Sequence, residues 1–417
     1  MRSRNKGGEG SLAAAAEGSL AAAAEGSLAA AAEGSLAAAA APAGAPPAAA
    51  SSDAVLPSDV QLAPDVRASL RLMGDLDLPL TRTPLWLSRA IANLAWVRPY
   101  LLGPRHALAR VRTERHAFGA LRYFEPLPSA ARRHRRPVTL LYLHGGGFVL
   151  CGLDSHHALC ASLAAQTGCT VASLDYALAP EHAAPAPQRD VLRAYQHLLA
   201  EAAAAGGGGG SVGVGGDSAG GNLAASLCLA LALAAAGAEA PPFPCGQRLA
   251  PLAELAATPQ PAFQVLLYPV TDLASRAPSH ARYARGWLLT DALREFFWRH
   301  YLGPPGAQRE ALKRHVLLSP LQAAAAAEGG GEGWAAAARA ALRAQCPAVL
   351  LTAEHDILHD EGVQYARALA EAGAACQHVE ALGLYHGFAT ATDLATGARA
   401  VAELAQRVVA LIGQVQQ

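Results

Sequence analysis

The sequence predicts an α/β fold with a mostly parallel central sheet covered by helices on both faces. Three observations carry that expectation. Short apolar runs of strand length alternate with helical stretches from about Leu121 onward, the pattern of strands buried on both faces. One such stretch runs into Gly216-Asp217-Ser218-Ala219-Gly220, a G-x-S-x-G turn in which small flanking residues let a strand bend sharply into a helix. Another apolar run leads into the glycine cluster His144-Gly145-Gly146-Gly147-Phe148.

Taken in order, the chain opens on low complexity. Four copies of Glu-Gly-Ser-Leu-Ala-Ala-Ala-Ala begin at Glu9, Glu17, Glu25 and Glu33. One leucine per octad cannot build a core, and a glycine in each copy interrupts any helix. Residues 1–52 therefore read as a disordered tail, and residues 53–417 as the folded domain. An organelle transit peptide is the alternative for the tail, supported by Arg2, Arg4 and Lys6 and opposed by the regular glutamates. Between Leu56 and Leu102, Trp86, Ile91, Leu94 and Trp96 recur at helical spacing and predict one or two amphipathic helices.

Strands are expected at 138–143, 169–174, 263–268 and 348–352, with a weaker one at 378–382. The segment Ser211-Val212-Gly213-Val214-Gly215 must be the strand feeding Ser218, although its glycines make it a poor strand former. Residues 234–261 and 323–341, rich in alanine with proline or glycine, read as inserted surface loops.

Composition excludes several functions. The formal net charge is +0 and the sequence pI is about 7.3, so no polyanionic partner is expected. The cluster Arg132-Arg133-His134-Arg135-Arg136 stands without an aromatic or basic stripe and reads as a solvated loop rather than a nucleic-acid site. The seven cysteines show no C-x-x-C spacing, which argues against a disulfide framework and a zinc knuckle; Cys228 reads as a small core hydrophobe. No apolar segment follows Met1-Arg2-Ser3-Arg4, and no bilayer-length apolar run occurs outside the alanine-dominated stretches. A soluble, cytoplasmic protein without stable membrane insertion is the expectation, with organelle import and a homodimer left open. Gly208 to Gly213 spells G-x-G-x-x-G, but it opens a strand instead of a helix, so a dinucleotide site is rejected.

Acyl-transfer chemistry needs a nucleophile, a base, a group that orients the base, and donors for a developing oxyanion. Ser218 is the candidate nucleophile. His386, in Tyr385-His386-Gly387-Phe388, follows the last expected strand and is the candidate base. Asp356 lies just beyond a strand's C-terminal end, where it can orient the imidazole, although Asp360 and Glu361 lie close enough to leave the acid open. Gly145, Gly146 and Gly147 expose backbone N–H groups that no side chain blocks, and Ala219 N–H at the start of the following helix completes the expected oxyanion hole. His144 reads as structural support for the glycine loop, His182 as a stabiliser of its own turn, and Trp287 and Phe297 more as packing than as substrate contacts.

These residues resemble the hormone-sensitive-lipase-like family of α/β-hydrolase esterases, also called family IV, over roughly 121–411. The family's His-Gly-Gly-Gly signature stands at His144 to Gly147 and its Gly-Asp-Ser-Ala-Gly-Gly elbow, with Asp217, at Gly216 to Gly221. Asp175-Tyr176-Ala177-Leu178-Ala179-Pro180-Glu181-His182, Tyr268-Pro269-Val270-Thr271-Asp272 and Asp360-Glu361-Gly362 match further blocks. The resemblance implies a Ser218, Asp356, His386 triad without metal or organic cofactor, acting on small-molecule esters of short to medium acyl chain. It also implies a helical cap drawn from about 53–115 and 273–345, with a cap helix spanning 288–302. Two departures stand out: Ala177 replaces the usual arginine, removing an ion pair, and Ile357 replaces the proline after the acid. A small-ligand receptor on the same fold is the rival reading; such receptors typically lose the histidine that this chain keeps at position 386.

Overall fold

The structure is a computed structural model and describes residues 62–417 apart from 74–76, 96–101, 205–209 and 330–331. The octad repeats, the expected disordered tail and Trp96 lie outside the described residues.

Among the described residues three short helices come first: α1 (Pro64–Met73), α2 (Asp77–Arg82) and α3 (Leu85–Ala95). Trp86 and Leu94 are 71% and 69% exposed, so the face of α3 that buries apolar surface is the one carrying Ala92 and Ile91. The α1 helix is tied to the far end of the chain: the Asp65 carboxylate accepts from Thr396 N–H (2.9 Å) and Thr396 Oγ1 (3.0 Å), and Ser69 Oγ lies 2.7 Å from Tyr385 Oη.

Strand β1 (Leu108–His116) pairs antiparallel with β2 (Gly119–Pro126). The expected cap boundary near 115 therefore falls inside the sheet. This strand was invisible as an apolar run because it is an outer strand with a largely exposed, arginine-rich face, the usual protection of a sheet edge. Next come β3 (Val138–Leu143), α4 (His157–Thr167), β4 (Thr170–Asp175), α5 (Ala186–Ala204), β5 (Ser211–Asp217) and α6 (Ala219–Ala235). After them follow α7 (Leu252–Ala257), β6 (Gln264–Leu267), α8 (Pro278–Arg282), α9 (Asp291–Leu302), α10 (Ala307–Lys313), α11 (Gln322–Gly329) and α12 (Glu332–Arg343). The chain ends with β7 (Ala348–His355), α13 (His359–Ala372), β8 (Cys376–Tyr385) and α14 (Ala395–Val415).

The eight strands lie in the order β1-β2-β4-β3-β5-β6-β7-β8, antiparallel between β1, β2 and β4 and parallel from β4 onward. Helices α4 and α14 pack on each other and on the sheet, while α5 and α6 form the other layer with α12 behind α6. Central strands covered on both sides must be apolar throughout, and β3, β5 and β6 are buried almost without interruption. The glycine-rich β5 holds its place because β3 and β6 pair with it on either side, and Phe263 fills the space beside Gly213.

Two loop expectations need correction. The described residues within 323–341 belong to α11 and α12, and Ala338 and Ala341 are fully buried. Alanine supplies helix propensity and a flat face that packs closely, so a stretch whose one large apolar residue is Trp334 still forms helix, with α6 covering α12. Residues 234–261 contain the short helix α7, and Phe243 is buried with its ring stacked on His315. Cys228 is a buried hydrophobe, its sulfur 3.7 Å from that of Cys346. No helix among the described residues is long and apolar enough to cross a membrane.

Candidate active site

Parallel strands deliver their following loops to one edge of the sheet, and four of these loops converge. Gly145 to Gly147 follow β3, Ser218 follows β5, Asp356 follows β7 and His386 follows β8. Strands β3, β5, β6, β7 and β8 are consecutive in the sheet, so residues far apart in sequence become neighbours.

Ser218 sits at φ 53° and ψ −119°, a conformation costly for a residue with a side chain. The turn holds it: Ser218 N–H donates to Leu267 O (2.9 Å), and its carbonyl accepts from Asn222 N–H (3.0 Å) and Val270 N–H (3.2 Å). Gly220 packs against the carbonyl of Leu143, leaving no room for a Cβ. The strained turn thereby presents the hydroxyl to His386, whose Nε2 lies 2.9 Å from Ser218 Oγ. On the other side of the ring, His386 Nδ1 lies 2.7 Å from Asp356 Oδ2. Asp356 is buried, and its second oxygen accepts Leu358 N–H at 2.9 Å. Tyr268 closes over the imidazole with ring centroids 4.9 Å apart.

The neighbouring acids are engaged elsewhere. Asp360 accepts from Ser279 N–H (2.8 Å) and pairs with His359 (2.9 Å). Glu361 is buried, accepts Thr271 N–H (2.8 Å) and Asp272 N–H (3.1 Å), and faces His280 Nε2 (3.0 Å). Burial pushes its carboxyl above the usual range despite these partners. These two residues tie the loop bearing Asp356 to the loop after β6 and to α8. Ile357, which stands in the place of the family's proline, is buried and accepts Ser279 Oγ at 2.9 Å.

Gly145 takes a different place from the one expected. Its N–H donates to Asp217 Oδ1 (3.0 Å), pointing toward the elbow, so it is not available to an oxyanion. Of the expected donors, Gly146, Gly147 and Ala219 are left. Gly147 adopts φ 60°, and the ring of Phe297 lies against its α-carbon where a side chain would stand. Asp217 also accepts from Tyr142 Oη (2.9 Å) and faces His156 Nε2 (3.1 Å). Burial alone would raise its pKa, but the His156 charge and the hydrogen bonds from His156 and Tyr142 win, and the carboxyl stays below its ordinary value. Sequence reasoning did not single out His156, since a histidine in a loop carries no pattern. His144 supports the loop: its Nδ1 lies 2.7 Å from Gly145 O and its ring stacks on Tyr176. Burial pushes its pKa down to about 3.

Above these groups lies a cavity of about 980 Å³ with its open mouth included. Its walls are mostly apolar: Leu80 and Ile91 from α2 and α3, Leu289 before α9, and Leu293, Phe297 and Trp298 from α9. Thr290 caps α9 by accepting Leu293 N–H (3.2 Å), which fixes where this helix starts and which side chains face the cavity. Trp287, by contrast, is buried with its ring stacked on His355. His182 is exposed, and its backbone N–H closes the turn onto Leu178 O (2.9 Å). At position 177, where the family usually has arginine, the Ala177 N–H donates to Asp190 (3.1 Å), and Arg89 pairs with Glu181 at 2.7 Å. Among the described residues, no group of three or more His, Cys, Asp or Glu side chains is placed to hold a metal.

Residues 140–390 match the family model described as alpha/beta hydrolase fold. Ethyl acetate hydrolase from Pseudomonas putida is 37% identical over 251 residues, covering 60% of this chain and 66% of that protein. Carboxylic ester hydrolase LipN from Mycobacterium tuberculosis is 33% identical over 282 residues, 66% of this chain and 65% of its own. The chain thus spans slightly under two thirds of the length of these curated relatives. Among solved structures, an alpha/beta hydrolase enzyme from the metagenome of Lake Arreo, Spain, superposes with a TM-score of 0.66 at 30% identity, over 85% of this chain and 99% of that one.

Proposed function

Because the chain belongs to the hormone-sensitive-lipase-like branch of the α/β-hydrolase fold family, we propose that it is a carboxylic ester hydrolase working through an acyl-enzyme on Ser218. The observation that carries the proposal is the continuous chain Ser218 Oγ, His386, Asp356, with contacts of 2.9 and 2.7 Å, at the floor of an apolar cavity.

Ser218 Oγ attacks the ester carbonyl carbon while its proton passes to His386 Nε2. Asp356 accepts the Nδ1–H bond throughout, fixing the tautomer and stabilising the imidazolium. The tetrahedral oxyanion takes hydrogen bonds from the N–H groups of Gly146, Gly147 and Ala219, the last at the positive end of α6. His386 then gives its proton to the departing alkoxide, which leaves as alcohol. A water molecule, deprotonated by the same imidazole, cleaves the acyl–serine bond and regenerates Ser218.

The substrate class proposed is small esters of short- to medium-chain acids. Apolar walls supply binding by desolvation, and the Phe297 ring beside Gly147 restricts space next to the oxyanion donors. A relative named for ethyl acetate is consistent with that size. The test is turnover of aryl esters of graded acyl length beside a Ser218→Ala control. Serine-dependent turnover that declines toward long acyl chains is expected. Binding of such esters without turnover at any pH would overturn the enzyme reading in favour of a ligand receptor.

A further inference from the structure

We propose that His156 is a positioning residue for this site: as an imidazolium it compensates the buried Asp217 carboxylate beside the catalytic serine and holds the loop that supplies the oxyanion donors. The proposal rests on the ester-cleaving reading only for its catalytic consequence. The charge state of the ring follows from the hydrogen-bond inventory.

Asp217 precedes Ser218 directly and is buried, as is His156. A carboxylate can only accept. Its oxygens take the Tyr142 hydroxyl (2.9 Å) and Gly145 N–H (3.0 Å), and His156 Nε2 lies 3.1 Å from Oδ1 and 3.2 Å from Oδ2. For that last contact to attract, Nε2 must carry a proton. At the other end of the ring, Nδ1 lies 2.8 Å from Ser155 Oγ. That hydroxyl has a single hydrogen, donated to Gly152 O at 2.8 Å, and it already accepts Gly152 N–H at 3.0 Å. Nδ1 therefore donates to Ser155 Oγ as well. A ring that donates at both nitrogens is an imidazolium. Gly145 N–H is directed at both Nε2 (3.2 Å) and Asp217 Oδ1 (3.0 Å), and the shorter, charge-assisted bond to the carboxylate is the one assigned to it here.

The catalytic imidazole makes a useful contrast. His386 has an acceptor carboxylate on one side and a hydroxyl able to donate on the other, which suits a neutral base. The two pairs flank Ser218 with opposite assignments. One moves a proton, and the other keeps it.

The consequence for catalysis is electrostatic. Asp217 grips the peptide that leads into Gly146 and Gly147, so its charge sits close to where negative charge develops on the substrate. Uncompensated, it would oppose the oxyanion that those N–H groups are arranged to stabilise. The other titratable groups around the pair cannot compensate it. Burial drives His144 down to about 3, Cys160 up to about 12, and Tyr142 and Tyr176 well above their usual range.

Two measurements test this. In the full-length protein with ¹⁵N-labelled histidine, the His156 signal, identified by its loss in His156→Gln, should report both nitrogens protonated at neutral pH. A neutral tautomer there would overturn the proposal whatever the enzyme does. In turnover, His156→Gln should lower kcat by about tenfold or more while leaving KM within about twofold. Adding Asp217→Asn to His156→Gln should then raise kcat again, because the pair is neutral once more. A His156→Gln enzyme with unchanged kcat, or a double variant no faster than the single one, would contradict the charge argument. If the glutamine variant does not fold, the ring signal of the wild type, assigned through its contacts to Ser155 and Tyr142, decides alone. Absence of turnover in the wild type would instead fail the ester-hydrolase reading and leave the nitrogen measurement standing.

Discussion

The floor of the cavity and its roof are built on different principles. The floor is made of strand ends and tight turns: Gly145 to Gly147 after β3, Ser218 after β5, Asp356 after β7 and His386 after β8. Its geometry is set by backbone, and few residue types fit. The Ser218 turn and the Gly147 position leave no room for variation. The roof is made of side chains on short helices, α2, α3 and α9, with Leu80, Ile91, Leu293 and Phe297 facing inward. There, any apolar residue of similar volume would pack. The difference teaches that reaction type is written in turn spellings, while substrate choice is written in packing.

The largest effect is expected where the floor carries charge. Asp356→Asn should leave the fold intact and lower kcat by about 10⁴, the size of the same change in serine-protease triads. Asp360→Asn, which touches Ser279 and His359 rather than His386, should cost less than about tenfold in kcat, with any larger effect appearing in stability. The reverse ranking would mean that a different carboxylate orients the base.

Next comes a pair that separates floor from roof at a single contact. Gly147→Ala would place a methyl group against the Phe297 ring at φ 60° and disturb a proposed oxyanion donor. It should lower kcat by about 10² for every ester, whatever its acyl length. Phe297→Ala removes the other side of that contact. It should leave kcat for the shortest esters within about tenfold while moving the preferred acyl length upward. Steady-state kinetics on the graded ester series checks both. If Phe297→Ala slows all esters equally, the roof helps to build the floor and the distinction collapses.

A smaller effect concerns stability. His144 has its pKa depressed to about 3 in the folded chain against an ordinary 6.5, so it is buried neutral. Between those values the unfolded chain binds more protons than the folded one. The stabilisation is therefore complete above about pH 6.5, falls as the pH drops through the window, and flattens below about 3. From pH 6.5 to 5 this group alone should cost about 2 kcal/mol. Melting curves of the wild type and His144→Gln over that range should converge as the pH falls. Parallel curves would show that His144 does not carry the dependence.

The same contrast explains what was legible in the sequence. Strands β3, β4, β6 and β7 were readable because burial on both faces demands continuous apolar runs, and two of them, β3 and β7, run directly into floor residues. Strand β1 was not, since an outer strand with exposed arginines has no such run. Helices α11 and α12 looked like loops because alanine carries no apolar signature of its own, although Ala338 and Ala341 pack in the interior. The choice among Asp356, Asp360 and Glu361 was open because all three lie within two turns of chain; only side-chain direction separates them. Gly145 was expected among the oxyanion donors because no side chain blocks its N–H and the family resemblance implies it, while that N–H donates to Asp217. His156 had no signal at all, because its meaning lies in the contact with Asp217, which only folding makes.

The central claim is that Ser218 is the covalent nucleophile of an ester hydrolase. Reaction with an aryl organophosphonate, followed by intact-mass and peptide mass spectrometry, tests it most directly. One adduct per chain on the peptide containing Ser218, with loss of ester turnover in step with labelling, is the result expected. An adduct on another residue, or full labelling of Ser218 with turnover undiminished, would contradict the account.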